Sequence, residues 1–204
     1  MSQIFTRIYD EPPINRKEIL RYAGVQKETA ELEKIIDECL CELHKKLSYK
    51  VCYGEFDFSV RDGVIDFGFM KTDSKALKKN LSGCESVTLF AATIGIELDR
   101  LIARYSVTSP TKAFIFQAVG AERIESLCDA FNRQVSDEKA AVGLTTVPRF
   151  SAGYGDLPLE LQKDIFSVLE CPKRIGLTLN ESLLMSPSKS VSAIIGIKKT
   201  EDKQ

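Results

Sequence analysis

Ser109-Pro110 opens the segment that most restricts how this chain can fold. Serine as cap and proline in the first turn make a strong helix start, and helical character continues to about Val135. Ala113, Gln117, Gly120 and Ala121 give that helix a small-residue surface, so another element can approach it closely. A second strong helix is expected over 27–47. There Leu32, Ile35, Ile36, Cys39, Leu40, Leu43 and Leu47 recur at helical spacing, with charges on the other face.

The rest of the chain alternates differently. Residues 1–14 read as an extended lead-in, because Pro12-Pro13 prevents a helix, and Asn15 with Glu18 resembles a capping box for a short helix over 16–23. Tyr49, Val51 and Tyr53 alternate as a strand, Gly54 breaks the phase, and Phe56, Phe58 and Val60 resume it. Arg61-Asp62-Gly63 is a turn from which Val64 to Phe69 pairs back as a hairpin. Ser74 caps a short basic helix, Ser86 to Thr93 reads as a buried strand, and Gly95 starts a helix through Tyr105. Beyond the long helix, strands are expected at 142–147, 174–179 and 189–198, with a helix at 158–169 and a frayed tail from Lys198. Strands and helices mix without βα repeats. The expected fold is therefore α+β, a mixed, largely antiparallel sheet with flanking helices. The division expected is 1–26, a lead-in and short helix, and 27–204, the main domain.

Composition excludes several classes of function. The 28 basic and 29 acidic residues nearly cancel, so there is no nucleic-acid footprint and no strong long-range steering of charged partners. No apolar run approaches the 18 or so residues of a membrane span, and Met1 to Asp10 does not read as a signal peptide. The six cysteines form no Cys-x-x-Cys pair and the chain has one histidine, so zinc-ligand spacing is absent and no metal site is expected. The cysteines read as reduced core residues of a cytoplasmic protein, and His44 as a surface residue of its amphipathic helix. No phosphate-binding glycine loop exists.

The strand at 142–147 feeds the loop Arg149-Phe150-Ser151-Ala152-Gly153-Tyr154. Alone, such a loop reads as a strand-to-helix turn: Arg149 in a surface ion pair, Gly153 with positive φ, Tyr154 at a core edge. The ordered series after it is far more specific. It runs through Leu157-Pro158, an amphipathic stretch to Leu169 and Ile175-Gly176-Leu177-Thr178-Leu179-Asn180-Glu181-Ser182. Met185-Ser186-Pro187 and Ser190-Val191-Ser192-Ala193-Ile194-Ile195-Gly196 follow. This series resembles the S-adenosylmethionine-binding activation domain of cobalamin-dependent methionine synthase, in a free-standing short form. The resemblance is close over about residues 149–196 and looser upstream, mainly at Ala121-Glu122-Arg123-Ile124-Glu125.

The resemblance implies an activation-domain-like fold and a ligand site. The ligand carries a carboxylate, an ammonium, a sulfonium and an adenine. Arg149 supplies a guanidinium for the carboxylate. Gly153 lets the backbone approach a flat ring, the amide and carbonyl around Ala152 suit the adenine edge, and Tyr154 offers a face and a hydroxyl. Glu125 is the candidate for the ammonium or sulfonium, against the alternative of a solvated helix charge paired with Lys112 or Arg133. Glu122 takes its place if the register is off by one turn. Glu181, Ser182, Ser190 and Ser192 read as shaping the turn and strand beside the pocket, and Met185 and Pro187 as packing. No catalytic side chain is expected.

The chain departs from the family after Gly-Tyr. There the family reads Pro-Ala-Cys-Pro-Asp-His-Thr-Glu-Lys, and of the corresponding residues 155–163 only Pro158 and Lys163 match. The family's histidine position is Glu160, and the family's later polar and aromatic segment, which brings a tyrosine near the ligand, has no counterpart. The function implied is an S-adenosylmethionine-binding reactivation subunit that supports reductive methylation of cob(II)alamin. Its partners are a cobalamin-dependent methionine synthase, or the domain of it that carries cobalamin, and a flavodoxin-like electron donor. That makes the chain a component of a methyltransferase, and whether it is an enzyme by itself stays open. The alternative is a non-catalytic docking or regulatory module for a corrinoid protein. A methyltransferase for another acceptor is disfavoured, since the Rossmann glycine loop is missing.

Overall fold

The structure, a computed structural model, describes residues 2–25 and 29–200. The expected helix start at 27, the 26/27 division and the last tail residues, 201–204, lie outside the described residues.

Five antiparallel strands form the main sheet. In chain order they are β1 (Ile4–Tyr9), β2 (Tyr49–Asp57), β6 (Ser86–Thr93), β7 (Leu144–Thr146) and β10 (Ser190–Lys199), arranged β1-β2-β6-β10-β7. Two small sheets lie apart from it: β3 (Ser59–Arg61), β4 (Val64–Asp66) and β5 (Lys71–Thr72), and the pair β8 (Thr178–Leu179) and β9 (Met185–Ser186). The helices are α1 (Arg16–Tyr22), α2 (Ala30–Leu43), α3 (Lys75–Asn80), α4 (Glu97–Thr108), α5 (Pro110–Ala140), α6 (Gln162–Val168) and α7 (Cys171–Ile175). The mixed α+β class and antiparallel pairing are as expected. Among the described residues no helix is long and apolar enough to cross a membrane.

Helices cover both faces of the sheet. On one side Val51, Phe90, Ala92, Ala193 and Ile195 pack with Ile19, Ile36, Leu98, Phe116 and Phe131 from α1, α2, α4 and α5. On the other, Cys52, Phe56, Leu89, Ala91 and Ile194 pack with Leu77, Ile165, Phe166 and Ile175 from α3, α6 and α7. This explains Gly54. The alternation does not break there: Tyr49, Val51 and Tyr53 face one helical layer and Cys52 and Phe56 the other. Two buried faces hide the simple in–out pattern of a half-exposed strand. A Cβ at Gly54 would lie 2.6 Å from Ile4 Cδ1 on the adjoining β1 and 3.2 Å from the carbonyl of Gln3 just before that strand, so glycine suits the close approach.

One further local reading changes. The strand expected at 174–179 begins instead as the end of α7. Pro172 sits in the helix's first turn and Gly176 ends it at φ +69°, so only Thr178–Leu179 is extended. The lead-in is extended as expected, and its residues 4–9 pair with β2 as the edge strand of the main sheet.

α5 runs 31 residues, beyond Val135 to Ala140. Its small-residue surface admits α4: a Cβ at Gly120 would overlap Leu98 Cδ2 and lie 3.0 Å from Lys189 Cγ. Leu98 is fully buried, so its methyl can make room only by displacing packed neighbours. Gly120→Ala is therefore expected to destabilise by about 1–3 kcal/mol, despite the better helix propensity of alanine. Urea unfolding read by circular dichroism checks this, and a gain in stability would show that α4 yields freely.

Of the six cysteines, Cys39, Cys52, Cys128 and Cys171 are buried, Cys84 is half-buried and Cys41 is exposed. His44 is at the surface, 3.8 Å from a Glu11 carboxylate oxygen.

Candidate functional site

The site is built where β10 loses its neighbour. The Val147 N–H donates to the Gly196 carbonyl at 2.9 Å, and Phe150 exchanges both backbone hydrogen bonds with Ile194, at 2.9 and 2.8 Å. This ladder holds Arg149 under α5. From there its guanidinium donates to Glu125 Oε2 at 2.5 Å and to Asp129 Oδ1 at 2.7 Å. Glu125 and Asp129 are four residues apart, hence on one face of α5. Burial alone would lower the Arg149 pKa, but the hydrogen bond to Asp129 and the neighbouring acidic groups outweigh it and hold the guanidinium above its usual range.

After Phe150 the chain turns. Gly153 has φ +88°, a conformation that disfavours any side chain, and donates its N–H to the Leu157 carbonyl at 2.9 Å. The Tyr154 N–H donates to the Ser151 carbonyl at 3.2 Å, and the Tyr154 side chain is exposed. Among the described residues Ala152 makes no backbone hydrogen bond in this turn. Asp156 anchors the far end. It accepts from the Ser74 hydroxyl at 2.5 Å and from the Lys75 and Ala76 N–H groups at 2.8 and 3.1 Å, at the N-terminus of α3. The Ser74 hydrogen bond, joined by those two amides, holds its carboxyl below the usual range.

Between α5, this turn, α6 and β10 lies a cleft of about 470 Å³, a size common for small-molecule sites. Glu125, Arg149, Ala152 and Tyr154 all line it, so four of the five candidate residues converge. Gly153 shapes the turn rather than the wall. Glu125 pairs with Arg149, not with Lys112 or Arg133. Glu122, the alternative one turn away, is buried and pairs with Arg123 at 2.6 Å, so it is not at the cleft wall. Asp129, Asp156 and Gln162 were not singled out from the sequence. The spacing of Glu125 and Asp129 is a readable signal for the first, whereas Asp156 and Gln162 acquire their neighbours only through tertiary contacts. Arg149 and Glu125 give the wall its charged groups, and Phe150, Met185 and Val191 give it apolar surface. No residue pair in the wall is arranged as nucleophile and base.

The chain belongs to the family described as "Vitamin B12 dependent methionine synthase, activation domain", whose model matches residues 74–202. Among solved structures it is similar to the one titled "Crystal Structure of the MetH Reactivation Domain bound to AdoHcy", with a TM-score of 0.74 and 16% identity. That likeness covers 99% of this chain and 80% of the other. It establishes the activation-domain fold. No curated protein matches the chain in sequence.

Proposed function

We propose that this protein is an S-adenosylmethionine-binding reactivation subunit that supports reductive methylation of cob(II)alamin in a cobalamin-dependent methionine synthase. The observation that carries the reading is the Arg149–Glu125 pair at one end of the cleft, in a chain of the activation-domain family. A zwitterionic amino acid can open that pair and replace each half: its carboxylate takes the guanidinium, its ammonium takes Glu125. No charge is left unpaired by the exchange. The backbone around Ala152 and Gly153 admits the adenine, and Tyr154 stands at the mouth.

The mouth is also apolar. Tyr154 is 69% exposed, Leu184, next to the cleft residue Met185, is 65% exposed, and Leu159, which packs against Gly153, is 39% exposed. That rim suits the partner's cobalamin-carrying domain. Cobalamin held by the partner, once reduced by one electron from a flavodoxin-like donor, would be the methyl acceptor, with the sulfur keeping the electron pair of the broken bond. This chain's residues hold the sulfonium in line and exclude water, so proximity supplies the catalysis. The setting is cytoplasmic, where such a donor is available.

The test uses a cobalamin-dependent methionine synthase lacking its own activation domain, inactivated as cob(II)alamin. With reduced flavodoxin and methyl-labelled S-adenosylmethionine, adding this protein is expected to transfer label to cobalt and restore turnover. Association with the synthase without label transfer would assign the chain to the docking class instead.

Asp129 competes for Arg149 from outside the cleft wall. Because that contact is more than half exposed on the acidic side, its loss is worth at most about 1 kcal/mol. Asp129→Asn should therefore tighten S-adenosylhomocysteine binding up to about fivefold in titration calorimetry. Weaker binding would instead make Asp129 a support that Arg149 needs.

A further inference from the structure

Two uncharged polar groups of the cleft wall have no hydrogen-bond partner among the described residues. Gln162, at the start of α6, is 7% exposed and its Oε1 is buried without a hydrogen bond. Ser192, on β10, is 2% exposed and its Oγ is equally unpaired. Both line the cleft. Among the described residues Gln162 makes no side-chain hydrogen bond, and a half-turn of its carboxamide only exchanges which end faces the wall. A buried polar group left unpaired costs about 1–3 kcal/mol, so two in one wall point to an absent partner.

The ladder opens at the same place. Phe150 and Ile194 exchange both hydrogen bonds, and two residues further along each segment lie Ala152 and Ser192. By the two-residue repeat of paired strands their N–H and C=O groups would face each other next. Instead the chain turns away at Gly153, leaving a gap bordered by two backbone edges. Phe150, Met185 and Val191 add apolar surface to that wall. A flat heteroaromatic ring with donors and acceptors on its rim fits such a gap, whereas a ribose has no flat face for it.

We propose that Gln162 and Ser192 read the nucleobase of the ligand, the Gln162 carboxamide pairing with the amine-bearing edge of adenine. A carboxamide matches that edge because both present a donor beside an acceptor. The inference rests on the nucleoside-binding reading above and adds the residues that select the base.

The full chain is titrated with S-adenosylhomocysteine and with its analogue lacking the 6-amino group. The wild type is expected to prefer the adenine compound about tenfold, the effect of one hydrogen bond. In Gln162→Met the adenine compound should bind about tenfold more weakly and the desamino analogue about as before, so the preference disappears. The unliganded variant should melt no lower than the wild type, since an unpaired buried oxygen has been removed. Ser192→Ala should likewise weaken binding without lowering the melting temperature. A tenfold preference that survives Gln162→Met places base recognition elsewhere and overturns the inference. So does a wild type that binds both compounds equally, or one in which Gln162→Met abolishes discrimination against 2′-deoxy analogues rather than desamino ones. A wild type that binds none of the compounds removes the nucleoside-binding reading itself, and the inference with it.

Discussion

Under the proposed function, Arg149→Ala is expected to lower the affinity for S-adenosylhomocysteine by about 30- to 1,000-fold, the equivalent of about 2–4 kcal/mol for truncating one member of a hydrogen-bonded charge pair. The ligand's carboxylate would lose its only forked donor in the cleft wall. Glu125 would then face the incoming carboxylate with no cation beside it. Both changes act in the same direction, and the second is absent when Glu125 is also neutralised, so Arg149→Ala with Glu125→Gln should recover part of the loss. Arg149→Lys should recover less than charge alone suggests, because an ammonium cannot make two parallel hydrogen bonds to a carboxylate. Folding should barely respond. Glu125 is 40% exposed and Asp129 57% exposed on their side chains, and ion pairs that reach solvent contribute at most about 1 kcal/mol. Affinity that stays within threefold of the wild type would remove Arg149 from the site.

The convergence of Arg149, Glu125, Ala152 and Tyr154 on one cleft was legible because the loop motif and the helix motif each sit in a locally regular frame. Ser109-Pro110 fixes where α5 begins, and helical geometry then fixes the face that carries Glu125. Other features were hidden for physical reasons. Gly54 looked like an interruption because alternation reports one buried face, and this sheet has two. Asp156 is anchored by three hydrogen bonds from Ser74, Lys75 and Ala76, 80 to 82 residues away in sequence, which no local pattern encodes. Gln162 looked like any polar residue of an amphipathic stretch. Its meaning comes from lacking a partner while buried, a property of the folded surroundings alone. The end of α7 was misread as strand because Ile175-Gly176-Leu177 is apolar enough for either state, and only the αL conformation of Gly176 decides it.

The largest expected loss of stability lies one helical turn from the site. Arg123 and Glu122 are each 1% exposed, and the guanidinium donates to both carboxylate oxygens at 2.6 Å. It also donates to the carbonyls of Pro12 and Pro13, at 2.6 and 2.8 Å. Glu122 in turn accepts from the Asn15 N–H at 2.9 Å and the Ser126 hydroxyl at 2.7 Å. The pair thereby ties the segment between β1 and α1 to the middle of α5. Pro12 and Pro13 suit this role, since they leave their carbonyls free while holding the chain extended. Arg123→Met fills similar volume but strands a buried carboxylate and two carbonyls. It is expected to cost about 3–5 kcal/mol, read as a shift of the urea midpoint at unchanged slope. Adding Glu122→Leu should return part of that loss, because the uncompensated charge disappears and an apolar pair of similar size replaces the ionic one. A single-variant loss under 1 kcal/mol would mean that water reaches Glu122 and that the network does not fix α5. In that case the rotation of α5 that aims Glu125 and Asp129 at Arg149 must be set by its apolar face alone, through Phe116, Leu127 and Phe131.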